Sequence, residues 1–209
     1  MIPARLAWLL QEVPSLIIPL CYVITAFESL SAPNFVIISL FIIHYAQRSL
    51  VYSFLIKGGK PTPVHLFLGG LLFCTVNGYI QGVWQTRYVQ YDTFWLTKPI
   101  TCIGISVFVL GALVNIQSDA ILRNLRRPGE KGYKIPKGGL FEYCSSANYF
   151  GELIEWIGYA LAAQTLPSLT FAVFTFCNLA PRALYHHKWY LQKFEDYPKN
   201  RKAIIPFLL

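Results

Sequence analysis

Apolar residues gather in six stretches of this chain, at about residues 13–27, 34–56, 64–84, 99–117, 147–163 and 166–179, with short polar segments between them. A helix needs about 20 mostly apolar residues to cross a hydrocarbon core of about 30 Å, so the pattern predicts six transmembrane α-helices. The first and last stretches are short and contain or border prolines, which predicts kinked, tilted or partly protein-covered spans. No strand followed by GxGxxG and a helix is present, because Gly69 and Gly70 fall inside an apolar run. No internal repeat is visible. The expected fold class is all-α, a polytopic transmembrane helix bundle with six spans. Arg5 followed by apolar residues, with Ser31 and Ala32 beyond, has the outline of a signal peptide, but Glu12 and Pro14 interrupt the apolar region and the segment reads as mature protein.

Composition agrees with a membrane as solvent. Of 209 residues, 55% are hydrophobic and 13% are charged, whereas a soluble domain carries about a quarter charged residues. The formal charge of +8 follows from topology, since Lys and Arg collect on alternate loops. Arg5 precedes the first span, and Lys57 and Lys60 follow the second. Arg123, Arg126, Arg127, Lys131, Lys134 and Lys137 follow the fourth. Arg182, Lys188, Lys193, Lys199, Arg201 and Lys202 follow the sixth. This distribution predicts a single membrane domain over residues 1–209, with a cytosolic basic loop at 118–146, a cytosolic C-terminal segment at 181–209, and both chain ends cytosolic. A lipid bilayer is therefore the expected partner and nucleic acid is not. Cys21, Cys74, Cys102 and Cys177 lie in apolar runs without CxxC spacing and read as buried free thiols; Cys144 is nearer water and is left open.

Ionisable groups at membrane depth cost a few kcal/mol each, so those that persist tend to line cavities. Here they fall on helical rows. Trp8 and Glu12 share a face of the first helix, where Glu12 reads either as a functional carboxylate or as a helix-end group at the lipid interface. Tyr45, Arg48 and Tyr52 form a row on the second; snorkelling accounts for Arg48 alone but not for the row. Asn115 and Asp119 continue through Arg123 towards Arg126, a row that either caps a helix end or receives phosphates. Asn148, Glu152 and Glu155 recur at spacings of four and three, with Glu152 sharing the face of Asn148. Arg182, His186 and Tyr190 repeat every four residues after the last span. His186 and His187 are adjacent, lack metal-ligand spacing and imply no metal; His187 reads as an interfacial residue.

These rows lie in segments that resemble the steroid 5α-reductase family: ARLAWLLQEVPS from Ala4, HYAQRSLVYS from His44, NIQSDAILRNLRRPGEKGYKIPKGGLFEY from Asn115, ANYFGELIEWIGYALA from Ala147, and RALYHHKWYLQKFEDYPKNRKAIIPFLL from Arg182. Five such segments in family order cover essentially the whole chain. The resemblance implies seven transmembrane helices, with Met1 standing where the family's second helix begins. It also implies residence in the endoplasmic reticulum, or the plasma membrane in bacterial relatives, and a monomer that holds NADPH in the cytosol-facing half of the bundle.

By the same resemblance, the implied activity is reduction of the Δ4,5 double bond of 3-oxo-Δ4 steroids. Glu12 and Tyr45 look like the pair that hydrogen-bonds the substrate's 3-carbonyl, with Trp8 beside the steroid rings. Arg48, Asn115, Asp119, Arg126, Tyr133, Lys134, Asn148, Glu152, Arg182, His186 and Tyr190 resemble the cofactor-contacting set. Gly69 stands where some close relatives have arginine. Competing expectations are a polyprenal or enoyl-CoA reductase of the same superfamily, an S-adenosylmethionine-dependent membrane methyltransferase, and a non-catalytic scaffold whose polar rows only join helices.

Overall fold

Long apolar stretches bearing polar rows at intervals of three and four fold as helices. The structure, a computed structural model, describes residues 1–126, 130 and 132–209; Arg127 and Lys131 of the basic loop lie outside them. Among the described residues the long helices are α1 (Ala4–Ala26), α2 (Ala32–Ala46), α3 (Val64–Val83), α4 (Pro99–Asn124), α5 (Ala147–Ala163) and α6 (Leu166–Lys193). A π-helical stretch, Gln47–Tyr52, and a last turn, Ser53–Leu55, prolong α2, and a second π-helical stretch, Trp84–Tyr88, prolongs α3. The expected all-α class holds, and no sheet occurs among the described residues.

The number of spans is corrected. Among the described residues, four helices are long and apolar enough to cross a membrane: Ala4–Ser29, Ala32–Leu55, Val64–Tyr88 and Pro99–Asn124. α5 has 17 residues, at the lower limit of what a crossing requires, and is not among the four. α6 runs for 28 residues through Pro181 and carries Arg182, Lys188 and Lys193 in its second half. The first helix begins at Ala4 rather than near residue 13, because Arg5, Gln11 and Glu12 lower its hydropathy without interrupting its backbone hydrogen bonds. α4 likewise runs on to Asn124, so the first residues of the expected basic loop are helical.

The chain divides into two compact units, Met1–Cys102 with Thr165–Ser168, and Ile103–Gln164 with Leu169–Leu209. In the first, α1 packs against both α2 and α3. Trp8 meets Tyr52 at one end of the α1–α2 pair and Phe27 meets Phe35 at the other, with centroid separations of 5.2 and 6.4 Å, so the two helices are antiparallel. Pro14 and Pro19 stay inside a continuous α1, and α3 approaches there through glycines. A Cβ added to Gly78 would lie 2.9 Å from Ser15 Cα, and one added to Gly82 would lie 3.0 Å from Pro19 Cα. Asn34 closes the far end of α3, its side-chain amide donating to the carbonyls of Gln85 at 2.6 Å and Val89 at 2.9 Å. These carbonyls would otherwise be left unpaired at a helix end.

The second unit is held by main-chain contact. An added Cβ would stand 2.4 Å from Ala162 N at Gly104, 2.3 Å from Glu155 N at Gly111, 2.5 Å from Asn115 N at Gly151 and 2.2 Å from Phe108 N at Gly158. On each helix the two glycines are seven residues apart, the interval that keeps one seam facing a neighbour. Beside the seam, Trp156 packs on Phe108 and Phe171. The C-terminal tail is paired to the entry of α5: Ser145 N donates to Lys202 O at 2.8 Å, Lys202 N to Tyr143 O at 2.9 Å and Ser146 N to Ala203 O at 3.1 Å.

Overpacking a close-packed contact costs about 1–3 kcal/mol. Gly158→Ala should therefore lower the thermal unfolding midpoint of the detergent-solubilised protein by several degrees. Gly69→Ala, where an added Cβ meets nothing within 4 Å, should leave it in place. Equal midpoints for the two variants would mean that the seam relaxes without cost.

Candidate active site

A guanidinium buried in an apolar helix needs protein partners. Arg48, 8% exposed, lies in the π-helical stretch of α2 with its Cζ 4.4 Å from the Tyr52 ring centroid and 4.8 Å from that of Trp8. Aromatic faces attract such a cation by about 0.5–2 kcal/mol each. The structure thus joins Trp8 and Arg48, which the resemblance assigned to substrate and cofactor respectively. It also adds Tyr52, legible only as the end of a row.

This clamp sets the register of α1 against α2. From Trp8, Glu12 lies four residues further along α1; from Arg48, Tyr45 lies three residues back along antiparallel α2. At about 1.5 Å per residue, the two side chains come to nearly the same depth. Tyr45 is 4% exposed and rests against Phe41 and His44, at centroid separations of 4.7 and 5.0 Å. Glu12 is half-buried: its Oε1 accepts from Gln11 Nε2 at 3.4 Å, and the Cys74 thiol approaches its Oε2 at 3.8 Å. Ser15 Oγ donates to Cys74 O at 2.8 Å, fixing α3 beside this carboxylate.

In the second unit, Asn115, Asp119 and Asn148 are brought together. Asn115 Nδ2 donates to Asn148 O at 2.9 Å, and Asn148 Nδ2 donates to Asp119 Oδ1 at 3.2 Å. The close approach of α4 to α5 at Gly111 and Gly151 makes these bonds short enough to form. Glu152 is half-buried on the same helix, whereas Glu155 is buried beside the glycine seam. Arg182 and His186 are exposed on α6, with His186 6.1 Å from the Tyr149 ring. On the basic segment, Arg126 Nη1 donates to Gly132 O at 3.3 Å, Lys134 pairs with Glu130, and the Tyr133 ring meets Trp189 at 4.8 Å.

Sequence reading missed a cluster around Tyr190. Tyr190 stacks on Tyr197 at 5.2 Å and 13°, and Ser145 Oγ lies 2.6 Å from both the Tyr197 hydroxyl and His187 Nδ1. Burial, with Lys202 nearby, holds His187 below the ordinary imidazole range; on the more exposed His186, partial desolvation of the ring and then the Arg182 charge act in the same direction. None of the five cysteines is in a disulfide, as expected for Cys21, Cys74, Cys102 and Cys177, but of these four only Cys74 is buried, the other three being exposed; Cys144, which the sequence left open, is buried. Burial pushes the Cys144 thiol up to about 11, which leaves it unreactive.

A family profile described as 3-oxo-5-alpha-steroid 4-dehydrogenase matches residues 60–209. The chain is 55% identical to 3-oxo-5-alpha-steroid 4-dehydrogenase 1 of Bos taurus over 212 aligned positions, covering 100% of this chain and 82% of that protein. The chain belongs to the 3-oxo-5-alpha-steroid 4-dehydrogenase family. Human relatives agree: the type 1 protein is 52% identical over 99% of this chain and 81% of its own length, and the type 2 protein 50% identical over 99% and 82%. For a steroid 4-dehydrogenase relative, the arrangement offers two chemically distinct regions. One is an aromatic and carboxylate surface around Trp8, Glu12 and Tyr45, and the other is an amide, carboxylate and guanidinium surface carried by α4, α5 and α6.

Protons are bound more readily by the unfolded imidazoles of His186 and His187 than by the folded ones. Their contribution is present above about pH 6.5, the ordinary imidazole value, and is lost as pH falls through that value towards the depressed folded ones. The thermal midpoint should thus be lower at pH 5.5 than at 7.5, with His187→Asn narrowing the difference. A midpoint unaffected by His187→Asn at either pH would remove this imidazole from the pH response.

Proposed function

We propose that this chain is an NADPH-dependent 3-oxo-5α-steroid 4-dehydrogenase that reduces the Δ4,5 double bond of 3-oxo-Δ4 steroids, testosterone and progesterone being of this class. The carrying observation is identity of 50–55% across essentially the whole chain to proteins of that name. The clamp of Arg48 between Trp8 and Tyr52, which brings Glu12 and Tyr45 level, supports it. An endoplasmic reticulum membrane, a cytosolic C-terminus and a monomeric state belong to the same reading.

The donor set fits a dinucleotide phosphate cofactor. Arg126 and Arg182 are exposed guanidiniums able to pair phosphate oxygens in bidentate fashion. The joined amides and carboxylate of Asn115, Asn148 and Asp119 offer donors and acceptors for ribose or carboxamide groups. Arg48, Tyr133, Lys134, Glu152, His186 and Tyr190 complete the assignment. When bound, NADPH supplies the hydride that adds to the β-carbon of the enone.

The protein's chemical task is to stabilise negative charge gathering on the 3-oxygen. The Tyr45 phenol donates one hydrogen bond there. Glu12 is the second partner of that oxygen in this reading, a role in which a carboxyl group must carry the proton that it donates. Trp8 packs beside the rings. A preorganised donor of this kind is worth about 3–4 kcal/mol, or about 10²–10³-fold in rate.

Tyr45→Phe and Glu12→Ala, which each remove one donor, should lower kcat by about that factor in a steady-state assay while leaving NADPH affinity nearly unchanged; parental turnover in either variant would strike that residue from the mechanism. Arg126→Ala should raise the dissociation constant for NADPH, measured by fluorescence titration, because a phosphate partner is lost. Parental binding would exclude that contact. Consumption of NADPH on adding an enoyl-CoA but not a 3-oxo-Δ4 steroid would overturn the substrate assignment.

A further inference from the structure

Ser145, His187 and Tyr197 form a hydrogen-bonded set outside the residues assigned above. Ser145 is 4% exposed and Tyr197 3% exposed. The Ser145 hydroxyl sits 2.6 Å from His187 Nδ1 and 2.6 Å from the Tyr197 hydroxyl. A serine hydroxyl carries one proton and two lone pairs, so it can bond both neighbours at once, with the direction of each bond set by the His187 tautomer.

Three separate segments meet at this hydroxyl. Ser145 belongs to the turn entering α5, locked to the tail through Lys202 and Ala203. His187 lies on α6, and Tyr197 begins the tail. The guanidinium of Arg201 lies over the Tyr197 ring, 5.5 Å from its centroid. Arg201, 2% exposed, donates to Pro136 O at 2.9 Å and pairs with Glu142 at 3.3 Å, which ties the basic segment to the tail. The ring so held is the one on which Tyr190 stacks at 13°. A tyrosine anchored at both its hydroxyl and its face cannot tilt freely, and the plane of Tyr190 follows it.

We infer that Ser145 is a positioning residue for the cofactor, acting through the Tyr197 hydroxyl and the Tyr197–Tyr190 stack and assisted by His187. This rests on the reading that Tyr190 faces NADPH. Neither Ser145 nor Tyr197 touches the reacting atoms; they set the plane of the ring that does the contacting. Apolar packing alone would hold the segments together, whereas a relay of hydroxyls specifies orientation.

The test uses the full chain in detergent, with Ser145→Ala, Ser145→Thr and Tyr197→Phe. NADPH affinity is read by fluorescence titration, and KM for NADPH and for a 3-oxo-Δ4 steroid by steady-state kinetics. Ser145→Ala and Tyr197→Phe should each weaken NADPH binding about fivefold to tenfold, as expected for one hydrogen bond of about 1 kcal/mol, with steroid KM within about twofold of the parent. The double variant should be no weaker than either single one, because both remove the same link. Ser145→Thr, which keeps the hydroxyl, should restore parental affinity. NADPH affinity unchanged in both single variants overturns the inference. So does a loss shared equally by steroid KM and thermal midpoint, or a failure of Ser145→Thr to recover affinity. If the unsubstituted chain shows no saturable NADPH binding, the cofactor reading falls and takes this inference with it; unaltered affinity in variants of a chain that does bind removes the inference alone.

Discussion

A cation placed among apolar helices must be satisfied by protein, and in the first unit that demand falls on Arg48. It sits in a π-helical turn of α2 between the rings of Trp8 and Tyr52, and insertions of this type recur at functional positions in helices. The cost of leaving the guanidinium unpaired makes one register of α1 against α2 much better than its neighbours. That single register then decides the depth of every other polar side chain on the two helices. α3 is added through Ser15, Gly78 and Gly82, so that Cys74 arrives beside Glu12. Electrostatic need, helix register and the composition of the candidate substrate surface are links of one chain of cause.

The second unit solves a different problem. Its polar groups are short side chains, Asn115, Asp119 and Asn148, which reach one another only if two backbones nearly touch. Four glycines at intervals of seven permit that approach. The tail is then fastened by main-chain bonds at Lys202 and Ala203 and by longer side chains, Arg201 above all. The candidate cofactor residues thus stand on a stiff seam at one end and on a side-chain lattice at the other.

Much of this is legible in the chain. Rows such as Tyr45, Arg48 and Tyr52, or Asn115 and Asp119, announce themselves because polar groups three and four residues apart on an apolar background mark one face of a helix. The boundaries of α5 at Ala147 and Ala163 are legible from the same periodicity. What hydropathy misplaces is the start of α1, where Arg5, Gln11 and Glu12 are polar yet helical, and the reach of α6, where Pro181 does not end the helix. Counting six spans follows from the same error, since hydropathy weighs segments singly while packing decides how far each helix extends. Least legible is the Ser145 cluster. Its members are 42 and 52 positions apart, no periodicity links them, and adjacent His186 and His187 differ only in which way each ring points.

The glycine seam carries a mechanical consequence. Where α4 and α5 touch at main-chain distance there are no rotamers to rearrange, so the pair has no soft coordinate along which to separate gradually. Any loosening within this unit is left to contacts made by side chains, such as those of Arg201 to Pro136 and Glu142, which can give way one at a time while the pair keeps its shape.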